Sequence, residues 1–297
     1  MLRDYLEEIV EPSLILGLFS SALGVFAAAH YGNINILFAM LAIVGSVMAQ
    51  ISVNLIDDYR DYAMGIDKET VKTKFSGGSA LVAEGRVVHR HLPWICLATV
   101  VVGTAIGVYL AFEISFLLLA LIIAGSAAIL FYADFISSLP FLAEPAAMVG
   151  FALICAGSFI AAHASFSGIG NALFAIVPAG MLCGIVLLVN EVPDSPVDRK
   201  FGRRHAAIML RSRKYVAAYY VALMAATYAV LLLGVLSGAM SVAFLAALAT
   251  LPALPYIYSG ISKYRTPHAY EKYMAVNIAT TIAYFMLLIL AYGIGGT

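Results

Sequence analysis

The sequence predicts an all-α integral membrane protein whose nine transmembrane helices form a single domain over residues 1–297. Two observations support this fold class. Of the 297 residues, 63% are hydrophobic and only 11% are charged, whereas soluble domains carry about 25% charged residues. The apolar residues are also grouped in stretches of about 20, the length of helix that crosses a bilayer core of about 30 Å. The net charge is zero, so we expect a lipid bilayer as partner and no nucleic acid.

Nine apolar stretches are long enough to be predicted as spans. They cover residues 12–30, 34–53, 92–112, 115–132, 141–163, 172–190, 216–236, 239–258 and 273–292. The basic residues support this count, because all 17 lie in the N-terminus or in the loops after the second, sixth and eighth spans. Cytoplasmic loops are enriched in Lys and Arg. We therefore expect a cell-membrane protein with its N-terminus and these loops in the cytoplasm.

Two acidic clusters with similar spacing close the second and sixth spans. The first motif is Asn54, Asp58 and Asp61, and the second motif is Asn190, Asp194 and Asp198. On an α-helix the three residues of the first motif point within about 60° of one another. Pro193 and Pro196 interrupt the second motif, where we expect the helix to kink or end. The recurrence of the motif four spans later suggests a four-helix repeat with one added helix.

These motifs predict a Mg²⁺ site at the mouth of the bundle. Carboxylates that share a face at a membrane boundary are costly without cations, and Mg²⁺ binds through one or two carboxylates plus substrate phosphates. We predict that all six motif residues bind metal and that Asp58, Asp61, Asp194 and Asp198 are catalytic. The neighbouring basic residues, which include Lys74, Arg203 and Arg204, are placed to balance a diphosphate. The full set of predicted substrate-binding residues is Arg60, Asp67, Lys68, Lys72, Tyr132, Arg199 and Lys200.

An apolar bundle below a diphosphate site suits a long hydrocarbon. Departure of the diphosphate would leave an allylic carbocation, which an aromatic face such as that of Phe131 or Tyr132 can stabilise. Gly77, Gly78 and Ser79 form either a loop that approaches an anion through backbone amides or a simple turn.

The paired motifs resemble those of the UbiA superfamily of intramembrane aromatic prenyltransferases, which have Asn-x3-Asp-x2/3-Asp at the ends of helices two and six of a nine-helix bundle. The resemblance implies Mg²⁺-dependent transfer of a polyprenyl group from its diphosphate to an aromatic acceptor. Residues 58–67 and 74–87 look most like the menaquinone-pathway branch, whose enzymes prenylate 1,4-dihydroxy-2-naphthoate, and like the similar vertebrate vitamin K prenyltransferase. The loop at 132–145 departs from the family, because it keeps Tyr132 and Glu144 but has no lysine.

We compare three other classes of function with the prenyltransferase interpretation. An ion-coupled transporter also contains intramembrane acids and repeats, but its acids lie near the midplane rather than at one end. A membrane phosphotransferase for CDP-linked alcohols uses an Asp-Gly-x2-Ala-Arg motif, which this sequence lacks. The third class is a non-catalytic scaffold.

Residues outside the motifs are assigned structural roles at this point. We expect His89, His91, His205 and His268 on the surface, and Gly150 and Gly157 at close helix contacts.

Overall fold

The computed structural model describes residues 2–11, 13–132 and 135–294, which form α-helices and short 3₁₀ segments without any strand. Pro12, where the first span was expected to begin, and Ala133 and Asp134 in the loop after the fourth span lie outside the described residues. The helices are α1 (Leu2–Ile9), α2 (Leu14–Tyr31), α3 (Ile36–Met64), α4 (Ile66–Glu69), α5 (Ala80–Ala83), α6 (Leu92–Glu113), α7 (Leu117–Tyr132), α8 (Ala143–His163), α9 (Ile169–Asp198), α10 (Ala206–Met209), α11 (Arg213–Leu236), α12 (Leu254–Lys263) and α13 (Pro267–Ile294).

The predicted all-α membrane fold is confirmed. Eight helical segments within the described ranges are long and apolar enough to cross a membrane, and they follow the order of eight predicted spans. One of these is the 3₁₀ segment Val242–Ala253 continued by α12. The fourth predicted span corresponds to α7, which has 16 residues and is about 24 Å long, so it is shorter than a full crossing. The orientation in the membrane stays a prediction.

The helix that carries the second motif continues through its prolines. α9 has 30 residues and includes both Pro193 and Pro196, so it does not end at either. Pro196 has no amide hydrogen to donate to the carbonyl of Val192, and the Tyr264 hydroxyl donates to that oxygen instead, at 3.2 Å. Asn190 and Asp198 therefore belong to one continuous helix.

Close packing in the bundle is concentrated where α2 and α9 meet α8. A Cβ atom on Gly24 of α2 would lie 2.2 Å from the Cys155 carbonyl oxygen of α8, and one on Gly180 of α9 would lie 2.3 Å from the Met148 carbonyl oxygen. Both distances are too short for any side chain, so glycine lets these backbones approach. Elsewhere on α8, Gly150 has open space beside it.

Candidate functional site

A cavity of about 880 Å³ extends from the charged end of the bundle into its apolar interior. We define the charged end as the end where α3 and α9 finish, at Asp61 and Asp198. The cavity has the size of a small-molecule site, and all six predicted metal ligands line its polar end. The polar lining includes Asn54, Asp57, Asp58, Asp61, Asp67, Asn190, Glu191, Asp194, Asp198 and Arg203.

Asp67 joins this group through a turn at the end of α3. Gly65 has φ +87°, the left-handed conformation that favours glycine, and its amide donates to the Asp61 carbonyl. The short helix α4 follows at once and turns the chain back, so that Asp67 is 4% exposed and lines the cavity. The sequence analysis named Asp67 as a predicted substrate-binding residue, and the structure places it at the cavity.

The glycine-rich loop joins the two motifs. The Gly77 amide donates to Asp194 Oδ2 at 3.0 Å, and the Ser79 amide donates to Asp58 Oδ1 at 3.1 Å. Gly78 lies between them with φ +69°, where a Cβ atom would be 2.3 Å from Asp67 Oδ1. The loop therefore contacts anions through backbone amides, as one of the two sequence interpretations allowed. The anions in this structure are the motif carboxylates.

Four cavity-lining residues have a buried oxygen that no hydrogen-bond donor reaches within the described parts of the chain. These atoms are Asp58 Oδ2, Asp67 Oδ2, Asn190 Oδ1 and Glu191 Oε2. Buried polar atoms normally have a partner, and an uncompensated buried carboxylate is costly. Carboxylate and amide oxygens are the ligands that Mg²⁺ takes, so the donor set from both motifs fits a hard divalent cation.

Asn54 lies at the cavity but its amide is already engaged. Its Oδ1 accepts from Gln50 Nε2 at 3.1 Å, and its Nδ2 donates to Ser13 Oγ at 2.6 Å. The Gln50 contact therefore occupies one of the two lone pairs of Asn54 Oδ1. The equivalent oxygen of Asn190 has no such donor.

Arg203 supplies the protein's own positive charge to the first motif. Its Nη2 lies 3.2 Å from Asp57 Oδ1 and also pairs with Asp61. The side chain is 12% exposed and lines the cavity. The sequence named Arg203 only as one of several basic residues, because nothing local distinguishes it from Arg204, which is exposed.

The predicted substrate-binding residues separate into two groups. Asp67 and Tyr132 line the cavity, and Lys72 is one contact away, with Nζ 2.8 Å from Asp67 Oδ1. Phe131 is 59% exposed on the outside of the bundle, so Tyr132 is the aromatic residue of this pair that faces the site.

Four other predicted substrate-binding residues are not among those that line the cavity. Arg60 lies over the Tyr59 ring, Lys68 lies over the Tyr62 ring, Arg199 donates to the Ile208 carbonyl, and Lys200 pairs with Glu69. Lys68, Arg199 and Lys200 therefore make these contacts away from the acidic motifs.

Two glutamates near the N-terminus reach the site, and the sequence analysis did not select them. Glu8 is 2% exposed and accepts a hydrogen bond from the Ser79 hydroxyl, while Glu11 lines the cavity beside Asp58. Burial raises the pKa of Glu8 and raises the pKa of Glu11 to about 7. The available signal was the acidic, amphipathic α1 region, whose distance in sequence from the motifs hid its contact with them.

The inner wall of the cavity is apolar and includes glycines. A Cβ atom on Gly125, Gly150 or Gly157 would meet nothing within 4 Å, and all three line the cavity. The expectation that Gly150 and Gly157 are close-packing positions is therefore wrong. The close contacts of α8 involve glycines on its neighbours, and its own glycines widen the cavity. The wall also includes Ile106, Ile122, Ile129, Phe151 and Ile154.

The expected surface position of His205 is also wrong, because this side chain is 1% exposed. The loop after α9 folds against the loop before α8, where the Arg204 amide donates to the Ser137 carbonyl and the Phe141 amide donates to the Arg204 carbonyl, both at 3.0 Å. This contact between distant segments buries His205 beside Asp198. His89 is half-buried as well, stacked on the Tyr59 ring.

Comparison with known proteins agrees with this arrangement. The 1,4-dihydroxy-2-naphthoate octaprenyltransferase of Bacillus subtilis is 26% identical over 212 residues, which cover 70% of this chain and 64% of that protein. The chain thus spans about two thirds of the length of this relative. A UbiA homolog from Aeropyrum pernix K1 has a similar structure with TM-score 0.70 at 17% identity, covering 95% of this chain and 96% of that one.

A second solved structure has the same fold. The UbiA homolog from Archaeoglobus fulgidus bound to GPP and Mg²⁺ has TM-score 0.59 at 14% identity, covering 97% of this chain and 99% of that one. Residues 18–294 match the UbiA prenyltransferase family. This match extends over nearly all of the helical bundle, and the chain therefore belongs to the UbiA prenyltransferase family.

Proposed function

We propose that this protein is a Mg²⁺-dependent intramembrane prenyltransferase that moves a polyprenyl group from its diphosphate to an aromatic acceptor. One observation carries the proposal. Oxygens from both acidic motifs, one in each without a hydrogen-bond donor among the described residues, converge at the polar end of one cavity with an apolar wall. A diphosphate with Mg²⁺ suits the polar end, and a hydrocarbon chain suits the wall.

The reaction breaks the bond between C1 of the prenyl group and the diphosphate oxygen, which keeps the electron pair. The allylic carbon then forms a bond to a ring carbon of the acceptor, and the ring loses a proton. Oxygens of both motifs would hold Mg²⁺, which would supply positive charge to stabilise the departing diphosphate. Arg203, at the cavity, and Lys72, beside Asp67, add fixed positive charge at the same end.

Other residues of the chain position the substrate and protect the cation. The Gly77 and Ser79 amides hold Asp194 and Asp58, which keeps the two motifs at a fixed separation. The apolar wall excludes water from the carbocation, which water would otherwise capture. Tyr132 also lines the cavity, where its ring can stabilise the cation.

We further propose that the acceptor is a quinone precursor such as 1,4-dihydroxy-2-naphthoate. The Bacillus subtilis relative, whose name specifies this acceptor, supports the assignment. The loop at 132–145 lacks the lysine of the family pattern, and Tyr132 and Glu144 are the residues that match this pattern. We also propose that the charged end faces the cytoplasm, on the distribution of basic residues. The acidic residues lie at one end of the cavity, which suits a prenyltransferase better than an ion-coupled transporter. In such a transporter the acidic residues lie near the midplane of the membrane.

Purified protein in nanodiscs tests the proposal. It is incubated with a labelled polyprenyl diphosphate and a panel of aromatic acceptors, with Mg²⁺ or with EDTA. We expect a prenylated product with 1,4-dihydroxy-2-naphthoate that needs Mg²⁺ and that is lost in Asp194→Asn. Binding of the diphosphate without transfer to any acceptor would contradict the proposed reaction, and transfer to another acceptor alone would contradict the naphthoate assignment.

A further inference from the structure

A second cluster of ligand-type side chains lies beside the second motif. Glu144 from the start of α8, Glu191 from α9 and His205 each offer one atom, and these atoms lie within 4.8 Å of one another. His205 Nδ1 is 3.5 Å from Glu191 Oε2. Two atoms that bind one ion at about 2.1 Å with tetrahedral geometry are about 3.4 Å apart. The measured separation therefore suits two ligands of a single ion.

One side-chain atom of each residue in this cluster has no hydrogen-bond partner in the described chain. They are Glu144 Oε2, Glu191 Oε2 and His205 Nδ1. Glu144 is 0% exposed and His205 is 1% exposed, so bulk solvent does not reach these two side chains. Buried polar atoms that lack partners are costly. A single cation bound between the three side chains would give each of them a partner.

The surrounding contacts are those of a metal site. His205 Nε2 is 3.1 Å from Asp198 Oδ2. In the tautomer that donates Nε2–H to this carboxylate, the Nδ1 lone pair is free to bind a cation. A metal-binding histidine almost always donates its other ring proton to such a group. Glu144 is oriented in the same way, because its Oε1 accepts from the Ala206 amide at 2.7 Å.

A proton on the imidazole does not explain the cluster as well as a cation does. An imidazolium would neutralise one of the two glutamates only. Its Nδ1 would also donate over 3.5 Å to Glu191, which is too long for a good hydrogen bond. A divalent ion between the three atoms satisfies both carboxylates and the imidazole at once.

We propose that Glu144, Glu191 and His205 bind a divalent transition-metal ion of the Zn²⁺ class, at a site separate from the proposed Mg²⁺ site. Imidazole with two carboxylates suits Zn²⁺ and its neighbours, whereas Mg²⁺ takes oxygen ligands. Of the three residues only Glu191 lines the cavity.

The ion positions Arg203. It ties the start of α8 and the end of α9 to the segment that contains His205, two residues beyond Arg203. Because Arg203 pairs with Asp57 and Asp61, an ion at His205 holds this guanidinium over the first motif. Glu144, Glu191 and His205 are therefore positioning residues rather than catalytic ones.

Metal analysis of the purified protein tests this proposal without an activity assay. Protein loaded with Zn²⁺ and dialysed against Mg²⁺ should retain about one equivalent of zinc per chain. His205→Asn and Glu144→Gln should each lower Zn²⁺ affinity at least tenfold, whereas His268→Asn, which changes an exposed histidine, should not. Asp58→Asn should keep the zinc, which separates this site from the proposed catalytic one.

Cobalt spectroscopy covers the case in which these variants fail to fold. The wild-type protein loaded with Co²⁺ should show visible d–d absorption of a four- or five-coordinate ion, and X-ray absorption should show one imidazole nitrogen. Zinc that dialysis removes from the wild type, a folded His205→Asn variant with full zinc affinity, or a six-oxygen cobalt spectrum would each overturn the proposal.

Discussion

The two acidic motifs have similar sequences but different partners. In the first motif, Asp61 pairs with Arg203, and the adjoining Asp67 pairs with Lys72. In the second motif, Asp194 accepts from the Gly77 amide and Asp198 faces His205. Among the described residues, no lysine or arginine forms an ion pair with the second motif. The spacing of a motif thus sets its position on a helix, whereas other segments of the chain set its charge balance.

This difference has a consequence for metal binding. The first motif is partly neutralised by the protein's own cations, while the second motif contacts the Gly77 amide and the His205 imidazole. Asn190 Oδ1 has no hydrogen-bond donor among the described residues, whereas Asn54 Oδ1 accepts from Gln50 and Asn54 Nδ2 donates to Ser13. We therefore expect the second motif to depend on Mg²⁺ more strongly than the first.

The largest effect is expected from the aspartates that the glycine-rich loop holds. Asp194→Asn and Asp58→Asn each remove a carboxylate from the polar end of the cavity and should lower kcat/KM about 10²–10³-fold, the range for loss of one strong electrostatic contact in a transition state. Steady-state kinetics with saturating acceptor measures this. Lys263→Ala, at the exposed end of α12, is the control and should leave the rate unchanged.

Arg203→Gln should lower the thermal stability of the protein, because only the first motif is paired with this arginine. The change leaves Asp57 and Asp61 without their cation, and loss of one partner of a buried pair costs about 3–5 kcal/mol. We expect a lower Tm that Mg²⁺ partly restores, because the metal replaces the missing charge. Thermal unfolding with and without Mg²⁺ checks this, and the exposed Arg204→Gln is the matched control. Equal Tm values for the two variants would mean that Arg203 does not balance the first motif.

The cavity wall should control the length of the prenyl group. Gly150→Leu and Gly157→Leu project side chains into open space along the wall, and each CH₂ that loses its buried contacts costs about 0.8 kcal/mol. We expect about a tenfold shift in preference toward shorter diphosphates. Gly170→Leu is the control, because this helical glycine also has open space but does not line the cavity. Transfer rates are measured for diphosphates of increasing prenyl length. If all three variants show the same dependence on length, the prenyl tail does not lie along this wall.

The smallest effects separate two lysines that the sequence treated alike. Lys200 pairs with Glu69 on the surface, and exposed ion pairs contribute about 0–1 kcal/mol, so Lys200→Ala should change diphosphate affinity less than about twofold. Lys72→Ala frees Asp67 at the cavity and should weaken diphosphates of every length by a similar, several-fold factor. Binding titrations across prenyl lengths test this. A change of length preference in Lys72→Ala would contradict its placement at the head group.

Much of the fold could be predicted because its determinants are local. Apolar stretches the length of a bilayer crossing locate the spans, and helical periodicity places Asn54, Asp58 and Asp61 on one face. The shortness of α7 was not evident, because its apolar sequence continues beyond the residues that form the helix. The continuity of α9 was missed for another reason, since the hydroxyl that satisfies the Val192 carbonyl comes from Tyr264.

The parts of the site that could not be predicted depend on contacts between distant segments. Arg203 and Arg204 are adjacent in sequence, and only the folding of the loop after α9 sends one to Asp61 and leaves the other exposed. The same loop buries His205. Gly150 reads as a close-packing residue because small residues serve both close packing and cavity walls, and only the neighbouring helices decide between the two.

The central claim is that the two motifs act as one metal–diphosphate site. A double-mutant cycle on Mg²⁺-dependent affinity for geranylgeranyl diphosphate tests it, with wild type, Asp58→Asn, Asp194→Asn and the double variant in calorimetric titrations. If the motifs hold the same ions and diphosphate, either single change should lose nearly as much affinity as both together, because residues that act as a unit are not additive. EDTA should abolish wild-type binding. Losses that simply add, or binding that survives EDTA, would show that the motifs do not share one site.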